Sequence, residues 1–168
     1  MKKTKFFLLG IIPLFVSCVS PPITVAPVGP DPFETGASAI GKGDLEVYTE
    51  PGEHAEDDLF YFPHTDYEIY TTAGKRLKYI WNHQNHEDES PAVVTLPPGE
   101  YVVRAWAELY GLVNVPVVIN IGQTTRVFLQ PGWKPENTVA SSDLVQMPKG
   151  YFVDWRADLP ETKLKREL

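Results

Sequence analysis

The chain has 168 residues, with 15 Lys and Arg against 22 Asp and Glu, one cysteine and a net charge of −7. The acidic balance excludes two functions that need clustered Lys and Arg: neutralising nucleic-acid phosphates and gripping anionic lipid headgroups. A single cysteine excludes an intramolecular disulfide.

The first seventeen residues divide into a basic start (Lys2, Lys3, Lys5), an apolar run from Phe6 to Val16, and Ser17 immediately before Cys18. This is the layout of a secretory signal. Its apolar core is eleven residues long and contains Pro13, whereas a membrane-spanning helix needs about 20 uninterrupted apolar positions. A retained transmembrane anchor is therefore not expected. Leu14-Phe15-Val16-Ser17-Cys18 resembles the lipobox of bacterial lipoproteins, with Phe15 where leucine is usual. The resemblance implies a diacylglycerol on the Cys18 sulfur and cleavage just before it. Each buried methylene contributes about 0.8 kcal/mol, so two or three acyl chains would hold the protein to a bilayer. Removing Lys2, Lys3 and Lys5 with the signal leaves 12 basic against 22 acidic residues, a mature net charge near −10. The expected location is the bacterial cell envelope, lipid-anchored and facing the periplasm or the exterior.

Residues 18–41 contain Pro21, Pro22, Pro27, Pro30 and Pro32 and lack any apolar period, the composition of an extended, disordered tether. At about 3.1 Å per residue such a stretch reaches roughly 70 Å.

Residues 42–131 have a different texture, with short β-branched and aromatic runs separated by Gly, Pro and Asn. Expected strands are Asp44 to Glu50, Tyr67 to Thr71, Leu77 to Asn82, Pro91 to Leu96, Tyr101 to Leu109, Val113 to Ile121 and Thr124 to Leu129. Ala73-Gly74-Lys75 marks a hairpin between the second and third. The sixth run is the clearest: Val113, Val115, Val117, Ile119 and Ile121 alternate with Asn114, Pro116, Val118 and Asn120, so one face is buried. Pro116 cannot donate to a ladder and places that strand at an edge or a bulge. Seven short strands with turns every ten residues or so predict an all-β fold, a single antiparallel seven-stranded Ig/transthyretin-like β-sandwich. Leu96-Pro97-Pro98-Gly99-Glu100-Tyr101, followed by Gly122-Gln123-Thr124, resembles the turns of transthyretin-like and PEGA-type domains of bacterial surface proteins. Such domains are mostly non-catalytic spacers or adhesive modules, and the resemblance implies no more than that.

Residues 132–168 read as a loosely packed C-terminal extension, with a short hairpin around Pro148-Lys149-Gly150 and a charged end from Glu161 to Leu168.

Candidate chemistry is sparse. His83 and His86, with Glu87, Asp88 and Glu89, offer zinc or copper ligands in type, but no fixed spacing aims both rings at one point. A solvated loop is the better reading, as it is for the acidic run from Glu53 to Asp58, which lacks an EF-hand's ligand alternation. There is no Gly-x-Ser-x-Gly elbow and no phosphate-binding glycine loop, so neither an enzyme nor a cofactor beyond the lipid on Cys18 is expected. Trp81, Trp106 and Trp133 are candidate ligand-binding rings. Trp106 leads because its strand alternation sets it beside Arg104 and Glu108. The sequence thus predicts a non-enzymatic structural or adaptor lipoprotein. Carbohydrate binding through exposed tryptophans and metal binding through His83 and His86 are the alternatives. Its partners are expected to be the membrane, through the lipid, and an envelope protein or glycan, without nucleic acid.

Overall fold

A computed structural model of the chain describes residues 21–31, 41–56, 58–85, 87–135 and 141–157. The signal sequence, Cys18, Asp57, His86 and the run from Glu161 to Leu168 lie outside the described residues. In chain order the strands are β1 (Ile23–Thr24), β2 (Val28–Gly29), β3 (Gly43–Tyr48), β4 (His54–Glu56), β5 (Leu59–Tyr61), β6 (Tyr67–Thr71) and β7 (Arg76–Ile80). They continue with β8 (Val94–Leu96), β9 (Gly99–Ala107), β10 (Gly111–Ile119), β11 (Thr124–Phe128), β12 (Leu144–Gln146) and β13 (Phe152–Arg156). The protein is all-β, and each of the seven expected strands forms, with ends shifted by up to three residues.

The strands make two main sheets. The larger runs β12-β13-β2-β10-β9-β6-β7, with β1 also on β10, and the smaller runs β11-β3-β8. Their facing residues build one core. Leu45 and Val47 of β3 and Val127 of β11 meet a cluster that includes Ile69, Val103, Val113, Val115 and Val117, all buried. The period-two rule produces this directly, because side chains at i and i+2 leave a strand on the same face. On β10, Val113, Val115, Val117 and Ile119 are buried as the alternation demands. Ile121 is not: it is 53 % exposed, because β10 ends at Ile119 and Gly122, at φ 68°, turns the chain toward β11.

The sheets are mixed, which corrects the expected antiparallel arrangement. β1 and β2 each pair with β10 in parallel, and β3 pairs with β11 in parallel over five residues. The remaining pairings are antiparallel. The cause lies in the stretch expected to be a disordered tether. An unpartnered edge of β10 exposes a row of N–H and C=O groups, and residues 23–24 and 28–29 satisfy them. The Val25 N–H donates to the Asn114 carbonyl at 3.3 Å. By the same period of two, the nitrogen of Pro116 faces this edge, where Ala26 and Pro27 interrupt the pairing between β1 and β2. The proline sits where no ladder bond has to be made.

The C-terminal extension is also built into the larger sheet rather than loosely packed. β12 and β13 form the expected hairpin, and β13 pairs with β2 through Trp155 opposite Gly29 and Arg156 opposite Val28. Leu144, Val145, Met147, Val153 and Trp155 are buried. The acidic run after β3, expected as a loop, folds instead as the β4–β5 hairpin, with Asp58 at φ 64°. It carries Leu59, Phe60 and Phe62 largely exposed.

One glycine is required by close approach. A Cβ on Gly43 would lie 2.1 Å from the Asn120 carbonyl oxygen and 2.9 Å from that of Gln123. The start of β3 is thus pressed against the β10–β11 turn.

Candidate functional site

The outward face of the larger sheet carries the most prominent set of exposed rings. On β9, Val103, Ala105 and Ala107 point into the core, so Val102, Arg104 and Trp106 point out. Trp106 stands directly opposite Leu112 of β10, and Arg104 is opposite both Asn114 of β10 and Glu68 of β6. Glu68 in turn faces Tyr79 of β7. Tyr79 and Trp81 meet edge to face, ring centroids 5.5 Å apart. Trp81 is 71 % exposed, Trp106 52 % and Tyr79 50 %. Beyond Glu68 and Arg104 the pairing of β6 with β9 stops, and the Trp106 carbonyl accepts instead from the Glu50 N–H at 3.2 Å, while the Glu50 carbonyl accepts from the Thr65 N–H at 3.2 Å.

Polar side chains interleave with these rings and hold one another in place. The Asp66 carboxylate accepts from the Tyr79 hydroxyl at 2.8 Å and from the Asn82 backbone N–H at 3.0 Å. That hydrogen bond raises the Tyr79 phenol above its ordinary value, since the neutral O–H is the form that donates. One row along, Glu68 accepts from Tyr70 and, at 2.7 Å, from Arg76, and these bonds hold its carboxyl below the usual range. Arg104 donates to Asn114 at 3.0 Å and lies over the Tyr70 ring, 4.6 Å from its centroid. The two arginines of this face are therefore already engaged.

Beside Trp81 an open cleft of about 790 Å³ runs along the loop after β7, lined by Trp81, Gln84, Asn85, Glu87, Asp88 and Ser90 among others. The loop is held in shape by its own side chains. Asp88 accepts from the backbone N–H of Gln84 at 3.1 Å and of Ser90 at 3.0 Å, which lowers its pKa. Glu89 reaches the Phe62 N–H at 2.9 Å, tying the loop to the β4–β5 hairpin.

Beneath Trp81 lies a buried polar knot. The Asn82 amide donates to the Val47 carbonyl at 2.8 Å, and its oxygen accepts from the Ala92 N–H at 3.0 Å. Thr49 donates to the Thr65 carbonyl at 2.7 Å. The His64 ring, edge-on to Tyr48, has Nδ1 3.0 Å from the Thr49 carbonyl. Burial lowers the His64 pKa, outweighing the hydrogen bond to Thr49 that works the other way. Because Asn82 follows Trp81 directly, this knot fixes the backbone that presents the ring.

Of the four tryptophans, Trp81 and Trp106 come to one face. Trp133 lies elsewhere, stacked on Phe128 at 4.5 Å, with Phe128 stacked on Tyr48 at 4.6 Å. The buried Trp155 meets Trp133 edge-on at 6.4 Å. His83 turns its Nδ1 toward the His64 carbonyl, 3.0 Å away, and stands 3.9 Å from an Asp66 oxygen. Among the described residues no group of three or more His, Cys, Asp and Glu is placed to hold a metal ion. The sequence marked Trp81 and Trp106 but passed over Tyr79 and Asp66. Tyr79 lies in an expected strand, and its alternation with Lys78 and Ile80 was the available signal.

Comparison with protein-family models, curated proteins and solved structures gives no match.

Proposed function

We propose that the chain is a bacterial cell-envelope lipoprotein, anchored through an acylated Cys18, whose β-sandwich is a non-enzymatic adaptor presenting a binding face away from its core. The anchor reading is supported by the basic start, the short apolar run and Ser17-Cys18. The observation that carries the adaptor reading is the exposure of Trp81, Tyr79 and Trp106 on one sheet face. Large rings left in water are characteristic of contact surfaces, where burying them supplies most of the affinity. An Ig- or transthyretin-like description of the sandwich is supported by the seven strands in their expected order; the three parallel pairings depart from it.

The test is retention. In the unacylated Cys18→Ala background, Trp81→Ala with Trp106→Ala should weaken capture of the protein on isolated envelope fragments at least tenfold. In the acylated chain the same pair should leave the protein in the detergent phase on phase partition, whereas Cys18→Ala alone should move it to the aqueous phase. Capture that ignores the tryptophans rejects the adaptor reading, and an unchanged partition of Cys18→Ala rejects the anchor.

A further inference from the structure

Three exposed apolar side chains meet at the β9–β10 hairpin. Trp106 and Leu112 are cross-strand partners on the outer face, and the indole lies so close over the turn that a Cβ on Gly111 would be 3.3 Å from it. At the tip, Leu109 is 64 % exposed. The Tyr110 N–H donates to the Ala107 carbonyl at 3.1 Å, closing a four-residue turn whose third residue, Leu109, has φ 69°. Glycine or asparagine takes that conformation at lower cost. A leucine that is both strained and wet is accounted for by a second apolar medium that takes up its side chain.

The course of the chain identifies that medium. β1 runs parallel to β10, with Ile23 beside Val113. Pro22 and Pro21 therefore leave the sheet at the hairpin end. Cys18 is three residues before Pro21, and a chain extends at most about 3.6 Å per residue, which holds the two Cα atoms within about 11 Å. Acyl chains on Cys18 thus bring a bilayer to the end that carries Trp106, Leu109 and Leu112. The β6–β7 and β10–β11 turns, with the exposed Ile121, lie at the opposite end.

The surroundings of the patch suit an apolar contact. Indole rings favour the bilayer interface. Glu50, whose N–H donates to the Trp106 carbonyl, and Glu108 stand beside the patch, and Lys149 lies over the Tyr110 ring, 5.4 Å from its centroid. Such a mixture offers no basic cluster to anionic headgroups. The tether makes the contact intramolecular, so three side chains that would bind a vesicle weakly by themselves are sufficient.

We propose that the β9–β10 end of the sandwich lies on the bilayer that holds Cys18, with Leu109 and Trp106 inserted among the headgroups and upper acyl chains and Leu112 beside them. This rests on the anchor reading and names the lipid surface as the partner of the Trp106 end of the exposed face.

The experiment uses the acylated mature protein, extracted in detergent and reconstituted into vesicles of phosphatidylcholine or of phosphatidylcholine brominated on its acyl chains. Bromine quenches an indole only at close range. The protein should float with both kinds of vesicle, and the brominated lipid should lower its tryptophan emission. Trp106→Phe should remove at least half of that quenching, while Trp133→Phe and Ile121→Ser leave it unchanged. Leu109→Gly separates docking from a structural role: relief of the positive φ should hold or raise the melting temperature, yet quenching should fall at least twofold. Floating protein without quenching, quenching indifferent to either Trp106→Phe or Leu109→Gly, or an equal loss in Ile121→Ser overturns the docking and leaves the anchor standing. Protein that carries no acyl chain and does not float overturns both. If docking fails while capture on envelope fragments in the Cys18→Ala background still depends on Trp81 and Trp106, the adaptor reading stands and the partner of that face is an envelope component other than lipid.

Discussion

Replacing Val28 by Asp tests whether the proline-rich stretch is a spacer or a part of the sheet. Val28 is fully buried, opposite Val117 of β10 on one side and Arg156 of β13 on the other. Removing the buried valine surface forfeits about 1.5–3 kcal/mol. Enclosing a carboxyl among Val117, Val153 and their neighbours adds a desolvation cost of about 1–3 kcal/mol even if the group protonates to avoid its charge. The sum, about 3–6 kcal/mol, is a large part of the 5–15 kcal/mol typical of a whole domain. Thr24→Asp, four residues earlier on the exposed side of β1, is the matched control and should shift stability by less than about 0.5 kcal/mol. Urea unfolding of the mature Cys18→Ser chain, followed by tryptophan fluorescence, gives both values. Equal midpoints for Val28→Asp and Thr24→Asp would refute the pairing of β2 and restore the reading of residues 18–41 as a tether.

Three further outcomes follow from the packing. Gly43→Ala should lose about 1–3 kcal/mol in the same unfolding assay, because its methyl meets backbone carbonyls that cannot rotate away. Tyr67→Phe should be neutral or slightly stabilising in a thermal melt, since the Tyr67 hydroxyl is buried without a hydrogen-bond partner among the described residues and its removal ends a desolvation cost. His64 has a folded pKa below its unfolded value, so its neutral form stabilises the protein above pH 6.5 and that contribution is lost as pH falls through the folded pKa. The stability of the parent should therefore fall relative to His64→Gln between pH 7 and pH 5, by at most about 1.4 kcal/mol per pH unit, as read from paired urea titrations.

The strands that the sequence revealed are those whose partners are close in the chain or whose alternation is long. β6 and β7 meet across Gly74, and β10 repeats its apolar period across four buried positions. β1 and β2 are two-residue strands among prolines, with no period to read. They exist because β10 has an open edge, which is a property of the assembled sheet. The fate of Trp155 was hidden for the same reason, since it is buried only once β13 docks on β2. Trp106 was legible because Arg104 and Glu108 share its strand face. Trp81 follows the last residue of β7, and its exposure depends on Asn82 being drawn into the knot below it. The role of Asp66 required the β6–β7 pairing that brings it to the Tyr79 hydroxyl and the Asn82 N–H.

The proposed anchor is tested by intact mass spectrometry of the protein extracted in detergent from expressing bacteria. The expected species is a chain beginning at Cys18 and carrying the added mass of two or three acyl chains, with Cys18→Ala showing none. A chain that begins elsewhere, or one that begins at Cys18 with the mass of the bare polypeptide, would contradict it.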